Sequence, residues 1–201
     1  MEKFTAIKGI AAPMPDDQTA AIDILPLDAQ RKAERTGLGK FLFAAERYND
    51  KGRENPAFIL NQPAWRKSAI LVTGMHFGHG DASDHLFWAL TDFGIRVVVA
   101  AVFDGAFRAG CYRHGILPIE VSPVYIGTLM QAAADKAIFT ADLEKQTLSV
   151  SGGKTYTFET PAFERHCLLS GLDDIGLTLE HVDAIDHFEK QHRKEMFWLY
   201  A

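Results

Sequence analysis

The densest run of chemically capable side chains is GMHFGHGDASDHLFW, residues 74–88. His76, His79, Asp81, Asp84 and His85 crowd into it with Ser83. Imidazole and carboxylate are the groups that take and give protons at a reacting carbon or oxygen. They also bind divalent metals, and His76-x-x-His79 with Asp81 or His85 offers three donors. The spacing is neither HExxH nor a cysteine-paired zinc pattern, so no metal is assigned, and His76, His79 and His85 stand only as candidate ligands. Gly74, Gly78 and Gly80 would let a ligand approach the backbone, and the first turn of a following helix presents N–H groups suited to a carboxylate or phosphate. The bland alternative is a tight turn with a capped helix and solvated histidines.

A second candidate is basic. Arg31, Lys32, Arg35 and Lys40 flank Thr36-Gly37-Leu38-Gly39. Guanidinium groups match carboxylates in a bidentate fashion, so this set can clamp an acidic substrate; a solvated helix face reads the same way. GMHFGHG is not GxGxxG and lacks the Lys-Ser/Thr of a phosphate loop, which argues against a nucleotide cofactor. Cys111 near His114 and Cys167 after His166 read as buried core residues rather than nucleophiles.

The elements that must position these residues are read from hydrophobic period and punctuation. Residues 69–73 (AILVT), 95–102 (IRVVVAAV) and 116–121 (ILPIEV) are apolar runs of buried-strand length. Helical segments lie between them: one carries His85 and Trp88, is capped by Asp81 or Ser83 and is closed by Gly94; the other is FDGAFRAGCYRHG. This predicts a βαβαβ core over 69–121 with parallel strands, placing the histidine-rich loop at a strand's carboxyl end. A further strand is expected at 3–11, stopping near Pro13, with 14–20 as a polar loop. A short helix is expected at 27–35, and 27–54 as a whole is read as a mobile, lid-like excursion. Ser122-Pro123 opens a helix to 134, and LEKQTLSV and KTYTFE form a hairpin across Gly152-Gly153. A last amphipathic helix spans 182–200 and ends in an aromatic cluster, FWLY. One α/β domain over 1–201 is the simplest organisation.

Composition narrows the function classes. The chain of 201 residues is 47% apolar and 23% charged, the usage of an ordinary globular domain. A formal charge of −5 gives no general attraction to nucleic acid, and there is no apolar run long enough for a membrane span. Two isolated cysteines and no basic or apolar leader fit a reducing, cytoplasmic location.

Several segments together carry a resemblance. RTGLGKFLF (35–43), NPAFILNQPAW (55–65), FGHGDASDHLFWALTDFGIRVVVA (77–100), GILPIEV (115–121), ADLEKQTLSV (141–150) and FERHCLLSGLDDIGLTLEH (163–181) make the sequence similar to the 3-isopropylmalate dehydratase (isopropylmalate isomerase) small subunits of leucine biosynthesis, in the aconitase superfamily. The resemblance runs over nearly the whole chain. It implies a swivelling β/β/α domain, the counterpart of the last domain of aconitase. It also implies a separate large subunit bearing a [4Fe–4S] cluster and a hydro-lyase reaction on a dicarboxylate or tricarboxylate, in which 2-isopropylmalate is dehydrated and the alkene rehydrated.

The resemblance places the site at the loop, where this sequence departs from the pattern. The family reads Asn-Phe-Gly-Cys-Gly-Ser-Ser-Arg-Glu-His-Ala; residues 76–86 here read HFGHGDASDHL. Asp81 stands at the serine expected to be the base, Ala82 at the second serine, Ser83 at the arginine, Asp84 at the glutamate and His79 at the cysteine, while His85 is kept. The family's early Asn-Val-Asp-Thr-Asp is missing, its place by length taken by QTAAI at Gln18–Ile22, and its Ala-Pro-Ser-Phe reads AAVF at Ala100–Phe103. The carried-over catalytic positions are therefore Asp81, Ser83 and His85, and the substrate-binding ones Gly78, His79, Gly80, Arg35 and Thr36. The carboxylates Asp81 and Asp84 in this loop oppose a dianionic substrate, and no arginine stands at Ser83 to offset them. Three readings follow: a hydro-lyase subunit with altered substrate or reduced activity, a divergent paralogue with a metal-dependent role at the His76/His79/Asp81/His85 cluster, and a non-catalytic binding or assembly module.

Overall fold

The computed structural model describes residues 1–31 and 34–199. Lys32 of the basic set and Tyr200 of the aromatic cluster lie outside the described residues.

Among the described residues ten strands form two sheets: β1 (Ala6–Met14), β2 (Gln18–Ala20), β3 (Ile70–Thr73), β4 (His76–His79), β5 (Val97–Ala100), β6 (Val102–Phe103), β7 (Leu117–Glu120), β8 (Ile138–Asp142), β9 (Thr147–Val150) and β10 (Thr155–Thr157). The larger sheet has the order β10-β9-β8-β1-β3-β5-β7. β1, β3, β5 and β7 are parallel, and β8, β9 and β10 add antiparallel strands beyond β1. The expected βαβαβ core and glycine-turned hairpin are both present. The helices are α1 (Ala21–Ile24), α2 (Leu27–Gln30), α3 (Ala44–Arg47), α4 (Asp84–Phe93), α5 (Gly105–Arg113), α6 (Pro123–Ala134), α7 (Ala162–Ser170), α8 (Asp174–Leu179) and α9 (Val182–Glu195).

Strand alternation explains two cores. Ile70, Val72, Val97 and Val99 point to one face, where α6 supplies Ile126 and Leu129. Leu71, Val98 and Ala100 point to the other, where α4 and α5 supply Phe87, Leu90, Phe107 and Cys111. A strand buried on both faces needs an apolar residue at every position, which is why these segments read as unbroken apolar runs. Each fully buried Leu or Phe contributes about 1.5–3 kcal/mol.

Several expectations are corrected. β1 does not stop before Pro13 but runs to Met14, with Pro13 opposite Val72. The β8 pairing covers only Ala6–Ile10, so the missing N–H of Pro13 costs no bond to that neighbour. Of the helix expected at 27–35, the single turn α2 is present with Arg31 as its C-cap, while residues 32 and 33 lie outside the described residues. The last helix ends at Glu195, followed by a 3-10 turn over Phe197–Leu199. The loops at 14–20 and 74–80 contain strands. β1, β3 and β5 each continue, after a short break, into β2, β4 and β6, which pair again in the order β2-β4-β6 as a second parallel sheet. The break demands close backbone approach: a Cβ on Gly74 would overlap the backbone of Asp16 and Asp17.

The 27–54 excursion, read as lid-like, sends Leu38, Leu42 and Phe43 into the core. Gly39 N donates to Asp92 Oδ2 at 2.7 Å, tying the segment to α4. Buried Arg47 donates from Nη1 to Gly39 O at 2.8 Å and from Nε to Asn61 Oδ1 at 3.0 Å. Asn61 Nδ2 answers by donating to Arg47 O at 2.7 Å. An arginine this deep is held only by such satisfied bonds.

Two tests address this framework. Arg47→Leu strands the Asn61 and Gly39 acceptors and should lower unfolding free energy by about 2–3 kcal/mol, read by urea titration. Asp173 caps α8, accepting from Gly176 N at 2.8 Å, and lies 3.6 Å from the N-terminal ammonium. The backbone bond first, then the ammonium charge, holds its carboxyl below the usual value. A lowered folded value means this stabilisation is complete above the ordinary carboxylate range and disappears as pH falls through the lowered one. Asp173→Asn should therefore lose less Tm than the parent on acidification below about pH 4, as seen by calorimetry.

Candidate functional site

The site is the crossing from β4 into α4, at the carboxyl end of the parallel strands. Phe77 is the anchor. It is buried, with its ring 5.6 Å from Phe107 in an edge-on contact and 6.5 Å from Phe43. Gly78 follows at φ +77, and a Cβ there would overlap the Phe107 ring. Gly78 is thus a packing residue, not a point of ligand approach, and the same holds for Gly74. Of the three glycines, only Gly80, at φ +88, faces open space. Its N–H donates to Asp104 Oδ2 at 3.2 Å. Asp104 is the N-cap residue of α5, and its carboxylate reaches across to this loop instead of capping its own helix.

Asp81 is exposed beside Gly80, with no hydrogen bond or ion pair among the described residues. Ser83 occupies the N-cap position of α4 but makes no side-chain cap. Its hydroxyl donates instead to Gln30 Oε1 at 2.9 Å, and Gln30 Nε2 donates to Leu25 O at 2.8 Å. Neither Asp81 nor Ser83 therefore caps α4 as expected; Ser83 ties the loop to α2. Asp84 lies 3.6 Å from Arg113 Nη2 and 3.8 Å from His114 Nε2. The His114 ring is stacked on Phe87 at 5.1 Å, with Nδ1 2.9 Å from Gly110 O. The His85 ring meets Trp88 at 4.7 Å between centroids, tilted by 60°.

Arg35 lies over the Trp88 ring at 4.8 Å, with no acidic partner among the described residues. It lines a cleft of about 510 Å³ with Asp84, Trp88, Arg113 and His114. The fold thus brings Arg35 to the first two turns of α4, and Thr36 is exposed beside it. His76 and His79 stay on β4, and among the described residues no group of three or more His, Cys, Asp or Glu could hold a metal ion. The His76/His79/Asp81/His85 metal cluster is not assembled. Cys111 and Cys167 are both buried and unbridged, and burial pushes both thiols up, leaving neither activated.

Sequence reasoning missed Gln30, Asp104, Arg113 and His114. Asp104-Gly105 after a strand and before a helix was a cap signal for Asp104; the other three carry no local signal, because their roles depend on which helices pack together.

The site is thus a buried anchor strand, an exposed loop and a helix that begins at the edge of a doubly tiered parallel sheet. A family model described as the aconitase C-terminal domain matches residues 1–124, and one described as the C-terminal domain of the 3-isopropylmalate dehydratase small subunit matches residues 174–201. The 3-isopropylmalate dehydratase small subunit of Agrobacterium fabrum is 48% identical over 200 residues, covering 98% of this chain and 100% of that one. That of Rhodospirillum rubrum is 48% identical over 201 residues, covering 99% and 97%. The crystal structure of 3-isopropylmalate dehydratase from Methanocaldococcus jannaschii superposes with a TM-score of 0.67 at 22% identity, covering 92% of this chain and 99% of that one, which shows the shared fold. The chain belongs to the 3-isopropylmalate dehydratase small-subunit family.

One comparison checks the loop. Gly78→Ala should destabilise by about 2–3 kcal/mol, through the Phe107 clash and the left-handed backbone. Gly80→Ala meets only the backbone term, about 1 kcal/mol. Paired thermal melts should rank them in that order.

Proposed function

We propose that the chain is the small subunit of an aconitase-type hydro-lyase that dehydrates a hydroxy dicarboxylate or tricarboxylate and rehydrates the alkene, with 2-isopropylmalate to 3-isopropylmalate as the reference reaction. Full-length identity to curated small subunits supports the reaction class. The observation that carries the site reading is the exposed Asp81 carboxylate next to Gly80, which has no partner among the described residues, together with the Arg35 guanidinium on Trp88, which has no acidic partner among them.

A proton on carbon next to a carboxylate is weakly acidic, so a positioned base is needed. Asp81 supplies it, accepting that proton on a carboxylate oxygen. Arg35 holds a substrate carboxylate, flanked by Thr36, and Gly80 and His79 form the floor of the loop. His85 sits on the first turn of α4 as a proton-handling group. Ser83 positions the loop through Gln30 instead of touching substrate. Of the two loop carboxylates, Asp84 is faced by Arg113 and His114, which leaves Asp81 as the charge that meets the substrate.

Iron–sulfur clusters take cysteine thiolates as ligands. This chain has two cysteines, both buried, so its own residues do not fit a cluster. The [4Fe–4S] group is assigned to a separate large subunit, the partner that a small subunit implies. Among the described residues no helix is long and apolar enough to cross a membrane, and a cytoplasmic site of action accords with two unbridged thiols.

The test is reconstitution with the cluster-bearing large subunit and assay of alkene formation from 2-isopropylmalate. Asp81→Asn should lower kcat by about 10²–10⁴-fold, and Arg35→Ala should act mainly on KM. A complex that forms and turns over equally well with Asp81→Asn removes Asp81 as the base.

A further inference from the structure

One part of the chain carries none of the candidate catalytic residues. From Asp174 onward no described residue is fully buried: α8 touches the body through half-buried Leu177 and through Glu180, 3.4 Å from His166 Nε2, while α9 and the turn Phe197–Leu199 contribute no buried residue. Yet α9 is amphipathic. Val182, Ile185, Phe188, His192 and Met196 recur at helical spacing and fall on one face, with Asp183, Asp186, Lys190 and Lys194 on the other. Phe188 is 64% exposed and Leu199, just beyond, 62%. A helix of 14 residues is marginal in water by itself and takes its stability from covering its apolar face. No element among the described residues buries that face.

We propose that this C-terminal arm, residues 174–199, is the docking segment for the large subunit. This deepens the small-subunit reading above and rests on it. Continuity with the site supports that occupant. Asp173, Asp174 and Ile175, at the root of the arm, line the same cleft as Arg35, Asp84 and Trp88. A partner that completes a reaction centre at that cleft meets the arm at its rim. Extent supports it too: the arm alone approaches the roughly 20–30 residues a side of a standard interface. The division between family models agrees. The body matches a domain named as the C-terminal part of aconitase, whereas the arm matches a model named for small subunits. A domain that is a separate chain has no covalent tether to its partner, and an added docking arm replaces it. The complementary surface is an apolar groove that receives Val182, Ile185 and Phe188.

The experiment measures binding of the full chain to its large subunit by calorimetry, for the parent, Val182→Asp/Phe188→Asp, and the opposite-face control Lys190→Ala. Val182, Phe188 and Lys190 are all exposed, so all three proteins should give the same thermal melt of the body. Tight binding by the parent and the control, with the double variant weakened by at least about 30-fold, supports the arm. Equal binding by all three overturns the arm and leaves the small-subunit reading standing. A parent chain that does not bind the large subunit overturns both. Sedimentation showing that the parent self-associates, and that the double variant does not, overturns the proposal by identifying a second copy as the occupant.

Discussion

No side chain fits between the Gly78 backbone and the face of Phe107, and the rest of the site hangs from that contact. Phe107 is also packed against Phe77, Phe87 and Phe103, at 5.6, 5.4 and 5.7 Å between ring centres. Those rings come from β4, α4 and β6. One aromatic side chain of α5 therefore fixes the second sheet, the helix that starts the site and the strand leading into Asp104. With β4 seated this way, the left-handed turn at Gly80 throws Asp81 outward. The loop is then tied on both sides, by Asp104 to α5 and by Ser83 through Gln30 to α2. A loop held at two ends by different helices loses little entropy when a ligand arrives, which is the condition for precise placement of one carboxylate.

Electrostatics divides the loop. Asp84 lies at the first turn of α4, where a negative charge is favoured by the helix dipole, and Arg113 and His114 stand opposite it. It behaves as a structural anion that joins α4 to α5. Asp81, three residues earlier, has no such compensation. Two carboxylates that look equivalent in sequence thus differ in kind, one joining helices and the other presented to solvent. Identical residue types a few positions apart acquire different roles through the helix that packs across from them.

The parallel core was legible because β3, β5 and β7 are buried on both faces and show as uninterrupted apolar runs. The hairpin was legible through Gly152. The second sheet was not: β2, β4 and β6 are two to four residues long, and what builds them is the pairing of strand extensions, a long-range effect with no local period. In the site, the loop and Arg35 were visible by residue type. The separate roles of the glycines were not, since an open glycine and an overpacked one are identical as letters. Arg113 and His114 were invisible because the α4–α5 packing that brings them to Asp84 is not encoded at either place alone.

The charges left unpaired give the cleft a direction. Arg35 is a cation spread over an aromatic face, and a guanidinium on a ring is partly desolvated, which strengthens its attraction for an incoming carboxylate. Asp81 is not among the residues that line that cleft. Under the proposed function, therefore, the cation that would draw a substrate carboxylate and the carboxylate that would take the proton stand on separate surfaces of the chain, and a partner surface is what would bring one substrate to both.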